Sequence, residues 1–183
     1  MLPMERAQLA LAGLVAPEWR GGHLRDTVTE EGWFTVRKYS CAELAEDHRA
    51  TPYEEPITSG CNLLLTSGAN AYHNRLIDTT ITAFDATNAR IAVGNGTTAV
   101  AAGQTDLQGG TKTRKIVDAA PTVSTNQISW VATFLSADAN HAWEEAGVAN
   151  ASSGGVMLNR VVQSYGTKTS GLQWVITASI SIA

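Results

Sequence analysis

The clearest alternation of apolar and polar positions in the chain lies in its last segment, Leu172–Ile182, LQWVITASISI. Leu172, Trp174, Ile176, Ala178, Ile180 and Ile182 share one parity, and Gln173, Thr177, Ser179 and Ser181 the other. Val175 is the one apolar exception. Successive side chains of an extended strand point to opposite faces, so the pattern predicts a strand with one apolar and one hydroxyl face. A helix would scatter the same residues around its circumference. Burying the large side chains of such a face is worth about 1.5–3 kcal/mol each.

Similar signals fill the second half of the chain. Residues 89–93 predict a short strand, followed by a Gly94-Asn95-Gly96 turn able to adopt positive φ. Residues 100–110 read as loop and residues 111–117 as a weaker strand. Residues 127–135 predict a strong strand with Ile128, Trp130, Ala132 and Phe134 on one face. Residues 142–149, a turn over 150–155 and a strand over 156–163 lead through a loop to the final strand. Short strands at turn-separated spacing predict an antiparallel β-sandwich or barrel-like domain, mainly β. One helix is expected, beginning after Ser67, with Leu63, Leu64, Tyr72, Leu76 and Ile77 on its apolar side.

Residues 1–60 read differently. Residues 5–15 favour a helix ended by Pro17, and residues 32–39 form a short alternating strand. Ser40 and Glu43 have the spacing of a capping box, predicting a short helix to about residue 49. Pro52 and Pro56 bracket an extended piece. These elements alternate with breakers and include no long core-forming segment. Residues 1–60 are therefore expected to be an irregular N-terminal arm, and residues 61–183 the β-rich domain. In this reading Leu9, Leu11, Trp19, Trp33 and Phe34 are the candidate interface, buried against neighbouring subunits.

Charge supports a seam near Gly60. Residues 1–60 hold six Arg/Lys and ten Asp/Glu, a net of −4, while residues 61–183 hold seven of each. Over the whole chain only 16% of residues are charged, against about 25% in a typical soluble domain. Such a chain needs few solvated faces, which suits a β protein that gives surface to neighbours. Lys112, Arg114 and Lys115 form the one cationic cluster, too small for a nucleic-acid footprint. No apolar run reaches membrane-spanning length. The N-terminal stretch has no basic leader and an early Glu5, so secretion is not expected. Cys41 and Cys61 flank the seam; a disulfide between them is possible, and free thiols are the preferred reading.

Catalysis finds little support. Gly94-Asn95-Gly96 lacks the third glycine and the following helix of a dinucleotide loop. Asp138, His141, Glu144 and Glu145 form the densest polar group, a composition able to bind metal or move protons. On a strand, however, His141 and Glu145 share a face while Glu144 points away, and no second histidine is near in sequence. A structural role is the better reading, with Trp143 packing rather than stacking on a ligand. No serine lies in a nucleophile elbow. No catalytic, cofactor-binding or metal residue is therefore nominated, no cofactor is expected, and the chain is read as a non-enzyme.

Five segments follow one another in an order that resembles small virion structural proteins of tailed bacteriophages. They are NLLLTSGANAYHNRLI, ARIAVGNGTTAVAAGQTDLQGG, ISWVATFLSADANHAWEEAGVAN, GGVMLNRVV and GTKTSGLQWVITASISI, within residues 60–183. The resemblance implies a β-rich module on a phage particle, assembled in the host cytoplasm and bound to a symmetric lattice. Capsid cement or decoration, with the major capsid protein as partner and as a homo-oligomer, is the first expectation. A tail, neck or baseplate component is the second. A carbohydrate-binding module, with Trp143 or Trp174 as the stacking ring, is a further alternative.

Overall fold

The computed structural model describes residues 30–40, 51–60, 62–77 and 80–182. The expected helices over 5–15 and 40–49 lie outside or at the edge of these residues, as do Cys41 and Cys61. Among the described residues the chain is mainly β, with ten strands and one helix. In order they are β1 (Glu30–Ser40), β2 (Ile57–Thr58), β3 (Leu63–Leu64), α1 (Thr66–Ile77), β4 (Arg90–Gly94) and β5 (Lys112–Ile116). Then follow β6 (Thr122–Ser124), β7 (Gln127–Phe134), β8 (Ala142–Ala149), β9 (Met157–Thr167) and β10 (Leu172–Ile182). They build two five-stranded antiparallel sheets, ordered β2-β1-β10-β7-β6 and β3-β9-β8-β4-β5. Two separate sheets facing each other make a sandwich rather than a closed barrel.

The alternation in β10 does what its parity requires. β10 lies at the centre of its sheet, pairing with β1 from Glu30↔Ile182 to Ser40↔Leu172 and with β7 from Trp174↔Phe134 to Ser181↔Gln127. Trp174, Ile176, Ala178 and Ile180 are buried in the sandwich core. The opposite face carries hydroxyls that pair across strands. Ser179 and Ser129 share a hydrogen bond of 2.8 Å, and Thr35 and Thr58 one of 3.0 Å. The second sheet closes the core with Ile91, Val93, Ala146, Val148, Val161 and Tyr165. At its centre Phe134, Trp143 and Trp174 stack edge to face, with centroids 4.7 and 4.8 Å apart.

β1 belongs to this core. Phe34 and Val36 are fully buried in it, and Ser59 Oγ accepts the Phe34 amide at 2.9 Å. Gly60, where charge changes along the sequence, is therefore not where packing stops. The strand before it completes the sheet that the strand at the far end organises.

A smaller apolar cluster of Leu65, Ala92, Leu107, Ala149 and Met157 sits apart from the main core. Ala92 alternates with Ile91 and Val93, so this cluster lies on the other side of the second sheet. It is roofed by the 95–111 loop and by the entry to α1.

α1 starts at Thr66, within two residues of the expected start after Ser67, but Leu63 and Leu64 lie before it in β3 and the helix is turned over. Its buried residues are Gly68 and Ala71, while Tyr72, Leu76 and Ile77 are 49%, 71% and 86% exposed. The cause is close approach. A Cβ on Gly68 would run into the Leu158 carbonyl of β9, so the helix lies on the strand through its smallest residues. Ser67 Oγ donates to the Met157 carbonyl (2.9 Å) and the Leu65 amide to the Leu158 carbonyl (3.0 Å), fixing that approach. Gly68→Ala is expected to destabilise the fold by about 1–3 kcal/mol through overpacking. Alanine's advantage of about 1 kcal/mol as a helix former offsets part of that cost, leaving a net loss of up to about 2 kcal/mol. Thermal unfolding checks it, and a variant as stable as the parent would mean that the helix lifts off β9 freely.

Candidate functional site

The Gly94-Asn95-Gly96 turn does cradle an anion, and the anion is the chain's own. Glu145, on β8, is fully buried. Its Oε1 accepts the amides of Gly96 (3.1 Å) and Gly109 (2.7 Å), and its Oε2 accepts the amide of Gln108 (2.9 Å). Arg160 Nε, on the adjacent β9, donates to the same Oε2 at 2.7 Å, and this ion pair is wholly shielded from solvent. The remaining guanidinium nitrogens donate to Gln104 Oε1 (2.8 Å) and the Thr98 carbonyl (2.9 Å). Every acceptor or donor of the network beyond the ion pair lies in the 95–111 loop. Gly96 is required for space: a Cβ there would strike the Glu145 carboxylate and the Gly109 amide. Backbone amides converging on a carboxylate form a strong anion cradle. Here it fastens a long loop across the sheet.

The other members of the polar group over 138–145 disperse. Asp138 accepts from Lys115 Nζ (2.7 Å) and from the Leu135 amide (2.9 Å). Burial raises its carboxyl, but these hydrogen bonds outweigh that and hold it below the usual carboxylate value. His141 Nδ1–H donates to the Ala142 carbonyl at 2.8 Å, leaving Nε2 to accept from Thr113 Oγ1 at 3.3 Å. Glu144 accepts from Ser164 Oγ at 3.0 Å. Among the described residues no three His, Cys, Asp or Glu side chains come together as metal ligands do.

The cationic cluster is also absorbed. Lys112 and Arg114 both reach Asp106 at 2.8 Å, and Lys115 takes Asp138. Burial pushes the Asp106 carboxyl up, and the bonds from Lys112 and Arg114 more than reverse it. In the core, burial pushes the Tyr165 phenol well up, with the Ser59 hydroxyl opposing it.

Of the five candidate interface residues, Leu9, Leu11 and Trp19 lie outside the described residues. Trp33 is half-buried on the outer face of the first sheet, opposite Ser179. Phe34 is withdrawn from the interface, because its ring is fully buried in the chain's own core. Trp143 and Trp174 are fully buried too, so neither offers a ring on which a sugar could stack.

Two surface features stand out among the described residues. One is the outward side of α1, with Tyr72 and Leu76 one turn apart and Ile77 beside them. The other is an open cleft of about 500 Å³ lined by residues 80–82, Asn88, Arg90 and the 150–156 turn. Compared with protein-family models, with curated proteins and with solved structures, the chain matches none.

Proposed function

We propose that the chain is a non-enzymatic structural protein of a tailed-phage virion, binding and stabilising a symmetric protein lattice. Capsid cement or decoration, on the major capsid protein and as a homo-oligomer, is the preferred reading. A tail, neck or baseplate position is the alternative, since the same module would serve in a ring. The resemblance of residues 60–183 to phage virion proteins supplies the class. The observation that carries the binding role is the inverted helix. α1 spends its small residues on its own domain and holds Leu76 and Ile77 in solvent. Large apolar side chains exposed side by side mark an interaction surface.

The rest of the fold suits a rigid head. The edge strands β2, β3 and β6 are two or three residues long, and β5 carries Lys112, Arg114 and Lys115. Short or charged edges resist indiscriminate strand pairing, which leaves recognition to side chains. Many weak contacts on a symmetric lattice add through effective concentration.

The double variant Leu76→Asp/Ile77→Asp tests this reading. Both side chains are exposed, so stability should change by no more than about 0.5 kcal/mol each. Co-sedimentation with particles assembled without this protein should drop by roughly tenfold or more, the loss expected when an apolar anchor is removed from an interface. Undiminished binding by the folded variant would exclude α1 as the docking face.

A further inference from the structure

We infer that the cleft beside Arg90 binds a small hydroxylated oxyanion, with the chemistry of a sugar acid. Arg90 faces away from the sandwich core, since its neighbours Ala89 and Ile91 point inward. Its guanidinium is anchored from one nitrogen only: Nη1 donates to the Thr87 and Ala89 carbonyls, both at 2.9 Å. Nε and Nη2 have no acceptor among the described residues. An arginine fixed at one nitrogen, with its other donors open at a cleft wall, can take a planar carboxylate side-on. Among the described residues it is the one charged residue of the lining, and no carboxylate stands there. Asp85, in the turn before β4, spends Oδ1 on the amides of Thr87 and Asn88 and on Asn88 Nδ2.

The walls are built rather than incidental. Asn150 is buried, donating through Nδ2 to the Thr82 carbonyl (2.8 Å) and accepting the Val156 amide at Oδ1 (2.7 Å). One side chain thus ties both walls together. Arg114 Nη1 holds the turn from behind through the Ala151 and Gly154 carbonyls, at 2.9 and 2.7 Å. Gly154 and Gly155 take positive φ, 58° and 65°, to complete the turn. Thr82 and Ser152 bring polar groups to the lining, while Ile81 and Val156 bring apolar surface. An opening of about 500 Å³ falls within the roughly 300–1,000 Å³ of small-molecule sites. Charge, hydroxyl-seeking groups and apolar wall together fit a sugar ring bearing a carboxylate better than a bare inorganic ion. The site is independent of the lattice-binding role of α1.

Isothermal titration calorimetry of the full chain with D-glucuronate, D-glucose and sulfate tests the inference. Glucuronate should bind one site with a millimolar or tighter Kd, and Arg90→Gln should weaken it by roughly tenfold or more. Glucose and sulfate should each bind at least roughly tenfold more weakly than glucuronate. Amide and arginine Nε resonances of the parent protein provide a second readout that needs no variant: shifts on adding glucuronate should concentrate at Arg90 and residues 150–156. No saturable glucuronate binding overturns the proposal. So does glucose or sulfate binding as tightly, equal affinity in Arg90→Gln, or shifts confined elsewhere.

Discussion

Arg160→Leu is expected to lower unfolding free energy by about 3–5 kcal/mol, the usual cost of removing one partner from a buried ion pair. For a domain of this size each kcal/mol shifts the midpoint by roughly 2–4 °C, so the melting temperature should fall by roughly 6–20 °C. The reason lies in what is left behind. Without the guanidinium, the fully buried Glu145 carboxylate loses its ionic partner, and Gln104 Oε1 and the Thr98 carbonyl lose their donor. Many buried ion pairs can be replaced together by apolar residues with little loss. This one should not be so forgiving. Replacing Glu145 as well strands the buried amide of Gly96, at a cost of about 1–3 kcal/mol, and releases the part-buried amides of Gln108 and Gly109, so the loop loses every tie to β8 that this carboxylate made. Arg160→Leu and the double variant Glu145→Leu/Arg160→Leu should therefore both be severely destabilised in chemical denaturation. Near-parental stability of either one would show that the 95–111 loop is held by something else.

That network also shows where reading the chain by parity stops working. Period-two alternation puts His141, Trp143 and Glu145 on one face. In the structure Trp143 points into the sandwich and Glu145 to the other side of the sheet. The pairing of β8 with β9 shifts between Trp143 and Glu145, and such an irregularity changes which residues share a face. The glycine turn is recognisable from its residues as a turn and as unfit for a nucleotide. Its acceptor lies 49 residues further on, a separation no local pattern reports. β10 and β7 are legible because each is long enough for alternation to repeat and buries one face. β6 leaves no such signal, because its three residues are all exposed and bury nothing.

The helix is legible in position and not in orientation. Apolar periodicity marks the side that usually packs, but packing distance is set by the smallest residues at the contact. Gly68 and Ala71, three apart on one face, are the available sign of close approach. Along the sequence Gly68 signals only a helix start. The cleft has no sequence signature, since its walls come from three separated segments.

The charge seam near Gly60 misleads for a related reason: composition follows exposed residues, whereas the fold follows buried ones. This leads to a second large expected effect. A chain beginning at Gly60 should fail to fold. It loses β1 and β2, and with them Phe34 and Val36 from the core. Truncating a buried phenylalanine alone costs about 3–5 kcal/mol, against a total stability of about 5–15 kcal/mol for an ordinary domain. β10 would also surrender the ladder running from Glu30↔Ile182 to Ser40↔Leu172 and become a long bare edge, open to pairing with other chains. Size-exclusion chromatography and near-ultraviolet circular dichroism should report aggregation and loss of fixed tryptophan environments. A chain beginning at Glu30 keeps every core residue named above and should melt as a cooperative unit. This milder truncation isolates the role proposed for Leu9, Leu11 and Trp19. If those residues contact the lattice, it should be folded yet bind particles weakly. If it binds as the full chain does, recognition rests on the sandwich and α1. A soluble, cooperatively folded chain from Gly60 would instead mean that β1 is an accessory to the sheet, and the contribution assigned to Phe34 would be wrong.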